Sequence, residues 1–206
     1  MKQLAESDYD YLFSAKLRKY FTLLLITVYI TFGLAILTYG DNFVFWRYAV
    51  SHLGGHKTML GNPNFLSFSI FVLGMVISGI IMLRIGFYLR KERLIQFKSP
   101  IRILSFSSGI GFFIMTFPHD VLLSLHMTGA SLMVGSLWAL SILLLLESLP
   151  YILLRHFILY QIILQGTVLP YAFTFFINIP QKEIAQKFAI VVLTIKLFLT
   201  INLKTS

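Results

Sequence analysis

Long apolar runs alternate with short polar breaks along the whole chain, and the lengths of those runs predict its architecture. Six runs, at about residues 21–39, 65–87, 101–117, 121–146, 153–176 and 184–203, carry almost no charge. Each approaches the roughly 20 residues that an α-helix needs to cross the hydrocarbon layer of a bilayer. Pro100 stands where the third run begins, a first-turn position that tolerates its missing N–H. No internal repeat or low-complexity segment breaks the series. The expected fold is all-α: one six-helix transmembrane bundle over residues 1–206, with an even number of crossings and both termini on the same side. The longest polar break, residues 46–64 (WRYAVSHLGGHKTMLGNPN), predicts a structured loop between the first two helices. A second polar knot falls at residues 118–126.

Composition makes the bilayer the main solvent. The chain is 57% hydrophobic with only 12% charged residues, and its mean hydropathy is +0.82. Soluble domains carry about 25% charged residues. The net charge of +9 raises nucleic acid as a partner, but its distribution argues otherwise. In this topology all of the 17 Lys and Arg except Arg47, Lys57, Lys182 and Lys187 fall on one side. That is the positive-inside bias that orients spans, and it places the termini in the cytoplasm. The basic side favours anionic lipid head groups rather than nucleic acid. With no cysteine, disulfides and thiolate chemistry are excluded. The charged, mixed N-terminus and long first run fit a retained helix better than a cleaved signal. A compact chain without a sorting signal points to a prokaryotic plasma membrane.

Two spans carry small residues four apart, Gly74 and Ser78 in the second and Ser131, Gly135 and Ala139 in the fourth. This spacing puts them on one helix face, where they permit close helix packing. The alternative is a face lining a lipid cleft. Phe43, Phe45, Trp46 and Tyr48 suggest an interfacial aromatic belt or a surface-lying segment.

Candidate chemistry gathers on the side opposite the bases. His52, His56, His119 and His126 lie there with Asp120 and Glu183. Histidine titrates near neutrality and is a common metal ligand. His126, expected about two turns inside the fourth span, is the sharpest candidate, because ionisable groups inside a membrane are costly. It lies seven residues after His119, so the two share a helix face if the helix reaches back that far. His119, Asp120 and His126 are the candidate ligands for a divalent metal. Asp120 also suits the start of a helix, where a carboxylate caps free N–H groups. His126 can equally hydrogen-bond a neighbouring helix. His52 and His56 flank Gly54 and Gly55, which breaks a helical metal pair. The glycines and Asn62-Pro63-Asn64 make turns, and Asn64 is positioned to cap the second span. Glu183 and Lys187 are spaced to pair on the first turn of the sixth helix, and Lys196 to snorkel toward the basic side. No G-x-S-x-G, H-E-x-x-H, Walker or dinucleotide motif occurs.

The segment Tyr48-Ala-Val-Ser51-His52-Leu53-Gly54, followed by Asn64-Phe65, resembles the first outer loop of a six-span family catalogued as domain of unknown function nine-nine-eight. Phe117-Pro118-His119-Asp120 and Leu125-His126-Met127-Thr128-Gly129-Ala130 resemble that family's turn and helix start. The family is distantly similar to DRAM-type autophagy modulators and to membrane proteins that process GPI anchors. Where it often has an acidic residue after the serine, this chain has His52. The resemblance implies a six-helix bundle with an outward polar pocket, and a lipid-linked role.

Two functions follow as expectations. The first is a binding or accessory membrane protein whose outer pocket holds a lipid or a membrane-protein partner, with His56, Asn62, Asn64, His119 and Glu183 as candidate contacts. The second is a lipid-modifying hydrolase or transferase. There His126 is the base, Asp120 orients it or binds metal, and Ser51 or His52 completes the site.

Overall fold

A computed structural model describes residues 13–92, 95–177 and 182–203. Lys2, Arg93 and Lys204 of the basic side, and Asn178 and Gln181 of the last polar turn, lie outside the described residues. The chain is all-helical, 78% helix, without strands among the described residues. Its α-helices there are α1 (Ala15–Leu37), α2 (Phe65–Tyr88), α3 (Lys98–Ile114), α4 (Leu123–Ser148), α5 (Leu154–Phe176) and α6 (Lys182–Ile201). Five of these six are long and apolar enough to cross a membrane; α3 is the exception. At 17 residues it rises only about 26 Å. The apolar runs thus locate every helix, but not the helix ends. Charged Lys16, Arg18 and Lys19 add turns to the start of α1 without adding hydropathy, and Ser14 caps that start by accepting Leu17 N–H at 3.3 Å. α4 begins two residues later than expected. α5 continues unbroken through Pro170.

Glycines set the close approaches. Gly74 of α2 lies under Thr31 of α1, and Gly79 of α2 faces Gly109 of α3. On Gly111 of α3 a Cβ would stand 2.9 Å from the Gly129 carbonyl of α4. α1 to α4 therefore pack in chain order. α5 and α6 form a pair that joins them chiefly through α6, which touches α4 and α1. Lys196 of α6 rests 3.5 Å over the Tyr160 ring of α5, an interaction that replaces the expected reach toward water. Large apolar side chains remain exposed on the outer faces, among them Ile30, Leu34, Leu73, Ile162 and Phe188. Such faces are excessive for a water-exposed protein and suit a hydrocarbon surround.

The small-residue spacing divides. Gly74 and Ser78 are buried in a helix contact, as the packing expectation has it. Ser131 and Gly135 are exposed, and a Cβ on Gly135 would meet nothing within 4 Å. The close approach of α4 uses Gly129, on a different face, so Ser131 and Gly135 front a cleft instead.

The helix ends alternate between two rims. At one, Ser14 donates to the Glu92 carboxylate, and Glu147 of α4 accepts the N–H groups of Gln96 (3.0 Å) and Phe97 at the start of α3. The opposite rim gathers residues 38–64, the turn at 115–122 and the start of α6. Replacing Gly129 with valine forces α4 from α3. We expect a loss of about 1–3 kcal/mol, seen as a lowered Tm in detergent, while Gly135→Ala leaves Tm unchanged or raised.

Candidate functional site

The second rim is built on a folded loop. After α1 the chain turns at Gly40, whose N–H donates to Asn64 Oδ1 at 3.1 Å. Asn64 Nδ2 in turn donates to the Gly55 carbonyl at 2.9 Å. Asn64 is 1% exposed and makes no capping bond to α2, so the expected cap is instead a staple across the loop. Asp41 accepts from the Thr58 hydroxyl and from Asn62 Nδ2, closing a small turn in which Gly61 takes φ +90°, a conformation that favours glycine. Tyr39, Phe43 and Tyr48 pack edge to face beneath it, whereas Phe45 and Trp46 are exposed. The aromatic cluster is thus half core and half surface.

Asp120 fastens this loop to the turn between α3 and α4. Its two carboxylate oxygens accept the N–H groups of His56 (2.9 Å) and Lys57 (3.1 Å), and His119 N–H donates to the Gly54 carbonyl at 3.0 Å. The expected cap of α4 does not form, because residues 118–122 make a turn and the helix starts at Leu123. Burial raises the Asp120 carboxyl, but the backbone N–H groups of His56, Asp120 itself and Lys57 outweigh it and hold the group below its ordinary range.

His52, on the 3₁₀ turn Val50–Gly54, and His119 lie edge to face with ring centres 4.9 Å apart. His119 and His126 follow at 5.5 Å, completing a file of three imidazoles. No shared helix face brings His119 to His126; the turn does. His126 sits in the first turn of α4 rather than two turns in, fully buried against Phe71, with Nδ1 2.8 Å from the Phe117 carbonyl. Its Nε2 and His52 Nδ1 are buried without a hydrogen-bond partner. Burial lowers His52 to about 4, aided by His119, Lys187, Lys182 and His126. His119 is lowered by burial and by His126, against a smaller opposing pull from Asp120. Both imidazoles are therefore neutral at pH 7.

Beside this file lies a cavity of about 460 Å³. Ser51, His52, His119, Lys182, Glu183 and Gln186 form its polar wall, and Met127, Ala130, Tyr171 and Phe175 its apolar floor. Gln186 anchors the wall by accepting Val50 N–H at 3.0 Å. Lys187 does not pair with the Glu183 carboxylate through the expected helical spacing. Its ammonium donates to the Tyr48 carbonyl (2.7 Å) and the Glu183 carbonyl (3.0 Å), tying α6 to the loop.

No family model, curated protein or solved structure matches the chain.

Four of the candidates chosen from sequence, Ser51, His52, His119 and Glu183, thus meet at one cavity. The other five do not line it. His126 stands behind His119, Asp120 and Asn64 are backbone fasteners, His56 packs on Phe68 with ring centres 4.4 Å apart, and Asn62 is spent on Asp41. The oriented base proposed for Asp120 and His126 is not formed, since each is committed to backbone. Among the described residues no three His, Asp or Glu side chains are placed to hold one metal ion, including His119, Asp120 and His126. Tyr171, Lys182 and Gln186 also line the cavity and were not among the candidates singled out from the sequence. The polar groups that interrupt otherwise apolar α5 and α6 were the available signal.

Two outcomes follow. Asp120→Asn removes the charge that gathers two N–H groups, so amide exchange across residues 52–57 should quicken by roughly tenfold, the equivalent of one charge-assisted hydrogen bond. For His52, the unfolded chain binds a proton near pH 6.5 and the folded chain near 4. Stability should therefore fall as pH drops through that window and flatten below it. His52→Gln should remove that part of the slope in pH-dependent melting.

Proposed function

We propose that this chain is a six-span membrane protein of the domain nine-nine-eight type, with cytoplasmic termini, whose outward pocket binds the head group of a lipid. The observation that carries this reading is the form of the cavity: a polar wall at a helix rim, an apolar floor, and apolar helices around it. Sites of about 300–1,000 Å³ with few convergent polar groups are the usual form of small-molecule pockets. Although α3 is short, α2 and α4 pack against it, and the face it leaves exposed carries apolar Ile103 and Ile110, which suit a hydrocarbon surround. In this reading α3 is a sixth crossing, and the rim rich in histidine faces outward. The setting proposed is a prokaryotic plasma membrane.

Neutral His52 and His119 offer the head group both donors and acceptors, Lys182 adds a cation and Glu183 an anion. Such a set suits a polar or zwitterionic head better than a strongly anionic one. A docked membrane-protein partner is a further role for the same rim. The enzyme reading draws on one observation, that His52 and Ser51 line the same cavity. In that version His52 would take the proton from a Ser51 or substrate hydroxyl. Without an oriented partner for the imidazole, binding is the better-supported function.

The test is mass spectrometry of lipids that co-purify in mild detergent. Wild type should retain a lipid species enriched over the host membrane, and His52→Ala with Glu183→Ala should lower that retention at least severalfold. A bulk lipid profile unaffected by the double substitution contradicts the reading. Changed lipid chemistry in cells expressing His52→Ala, compared with wild type, would favour the enzyme instead.

A further inference from the structure

The polar pocket does not end at its floor. Ala130, Tyr171 and Phe175 also line a second, apolar cavity of about 200 Å³ that continues between α4 and α5. Ser131 and Gly135 form part of its wall, which explains why their small side chains face no neighbouring helix. Trp138 is in the lining, and its Nε1 donates to Gln165 Oε1 at 3.0 Å, a cross-link between α4 and α5 at that depth. From Ala130 to Trp138 the α4 wall runs about 12 Å, at the usual helical rise.

We propose that the pocket and this shaft together hold one single-chain lipid. Its head sits among Ser51, His52 and Glu183, and its acyl tail runs past Gly135 to stop at the Trp138–Gln165 bridge, which limits tail length. The proposal rests on the lipid-binding reading of the pocket. Three observations select this occupant. The shaft lies between helices apolar enough to cross a membrane, so hydrocarbon, not water, is the medium that fills it. Water would find too few polar partners along its walls. The neighbouring apolar cavity that also touches Tyr171 measures only about 60 Å³, too little for a second chain.

The protein supplies its own probe, since Trp46 and Trp138 are its two tryptophans. In a Trp46→Phe background, Trp138 alone reports on the base of the shaft. Monoacyl phosphocholines bearing bromine on the last tail carbon, from octanoyl to stearoyl, are titrated into the protein in a bromine-free nonionic detergent. Quenching should pass through a maximum at one tail length. Gly135→Phe, which fills the shaft, should weaken it at least severalfold, and a thermal melt verifies that this variant is folded. Gly166→Phe, also free of any atom within 4 Å of its Cβ, should leave it unchanged. Gln165→Ala should move the maximum to longer tails. Quenching that climbs steadily with tail length and ignores Gly135→Phe overturns the proposal, as does equal competition by a two-chain lipid. Either result leaves head-group binding standing. No quenching while a lipid still co-purifies overturns the shaft alone; no quenching and no co-purified lipid overturn both.

Discussion

Asp120 is the group on which the rest of the site depends. In a chain this apolar, backbone N–H groups in loops near a membrane need partners that the surroundings do not supply. The sequence has only eight acidic residues, and at least four anchor the chain through hydrogen bonds they accept. Asp41 closes its turn, Glu92 receives the cap of α1, and Glu147 collects the first N–H groups before α3. Glu92 and Glu147 each join distant parts of the chain at the other rim, and Asp120 does so at the rim that carries the histidines. By holding His56 and Lys57 it sets residues 38–64 against the α3–α4 turn. His52 is then brought beside His119.

A histidine file held this way is not a catalytic array by default. Three imidazoles in contact, one with its Nδ1 on a backbone carbonyl and none oriented by a carboxylate, offer hydrogen-bond donors and acceptors rather than an activated base. That chemistry suits recognition of a polar head group near a membrane surface. Fixed charge at the pocket comes from Lys182 and Glu183 on α6, opposite in sign. Lys187, although close, is withdrawn onto the Tyr48 carbonyl of the loop and the Glu183 carbonyl of its own helix, and serves as a second fastener.

Much of the fold was legible in the sequence because hydropathy tracks the solvent of each segment. All six apolar runs became helices, five of them long and apolar enough to cross a membrane. Helix ends were less legible, since Lys98 and Lys182 are helical without being apolar. For the site, residue type identified Ser51, His52, His119 and Glu183 but could not distinguish side chains that line a space from those that fasten backbone. Asp120 and Asn64 carry the same polar signal as His52, yet their partners are N–H and carbonyl groups distant in the chain. The four-residue spacing of Ser131 and Gly135 was equally ambiguous. Spacing shows which residues share a face, while only packing shows whether another helix covers it. Tyr171, which meets both the polar pocket and the apolar shaft, was hidden in a run of aromatic residues with no periodic mark.

The loop, the α3–α4 turn and the start of α6 close around one pocket. The test is cysteine cross-linking with a short bis-maleimide in native membranes, feasible because the sequence has no cysteine. Val50 N–H donates to the Gln186 side chain at 3.0 Å, which brings the two positions within reach of such a reagent, so Val50→Cys with Gln186→Cys should be joined in high yield. The pair Trp46→Cys with Gly166→Cys should not. Failure of the first pair to cross-link in folded protein, or equal yields from both pairs, would contradict the pocket.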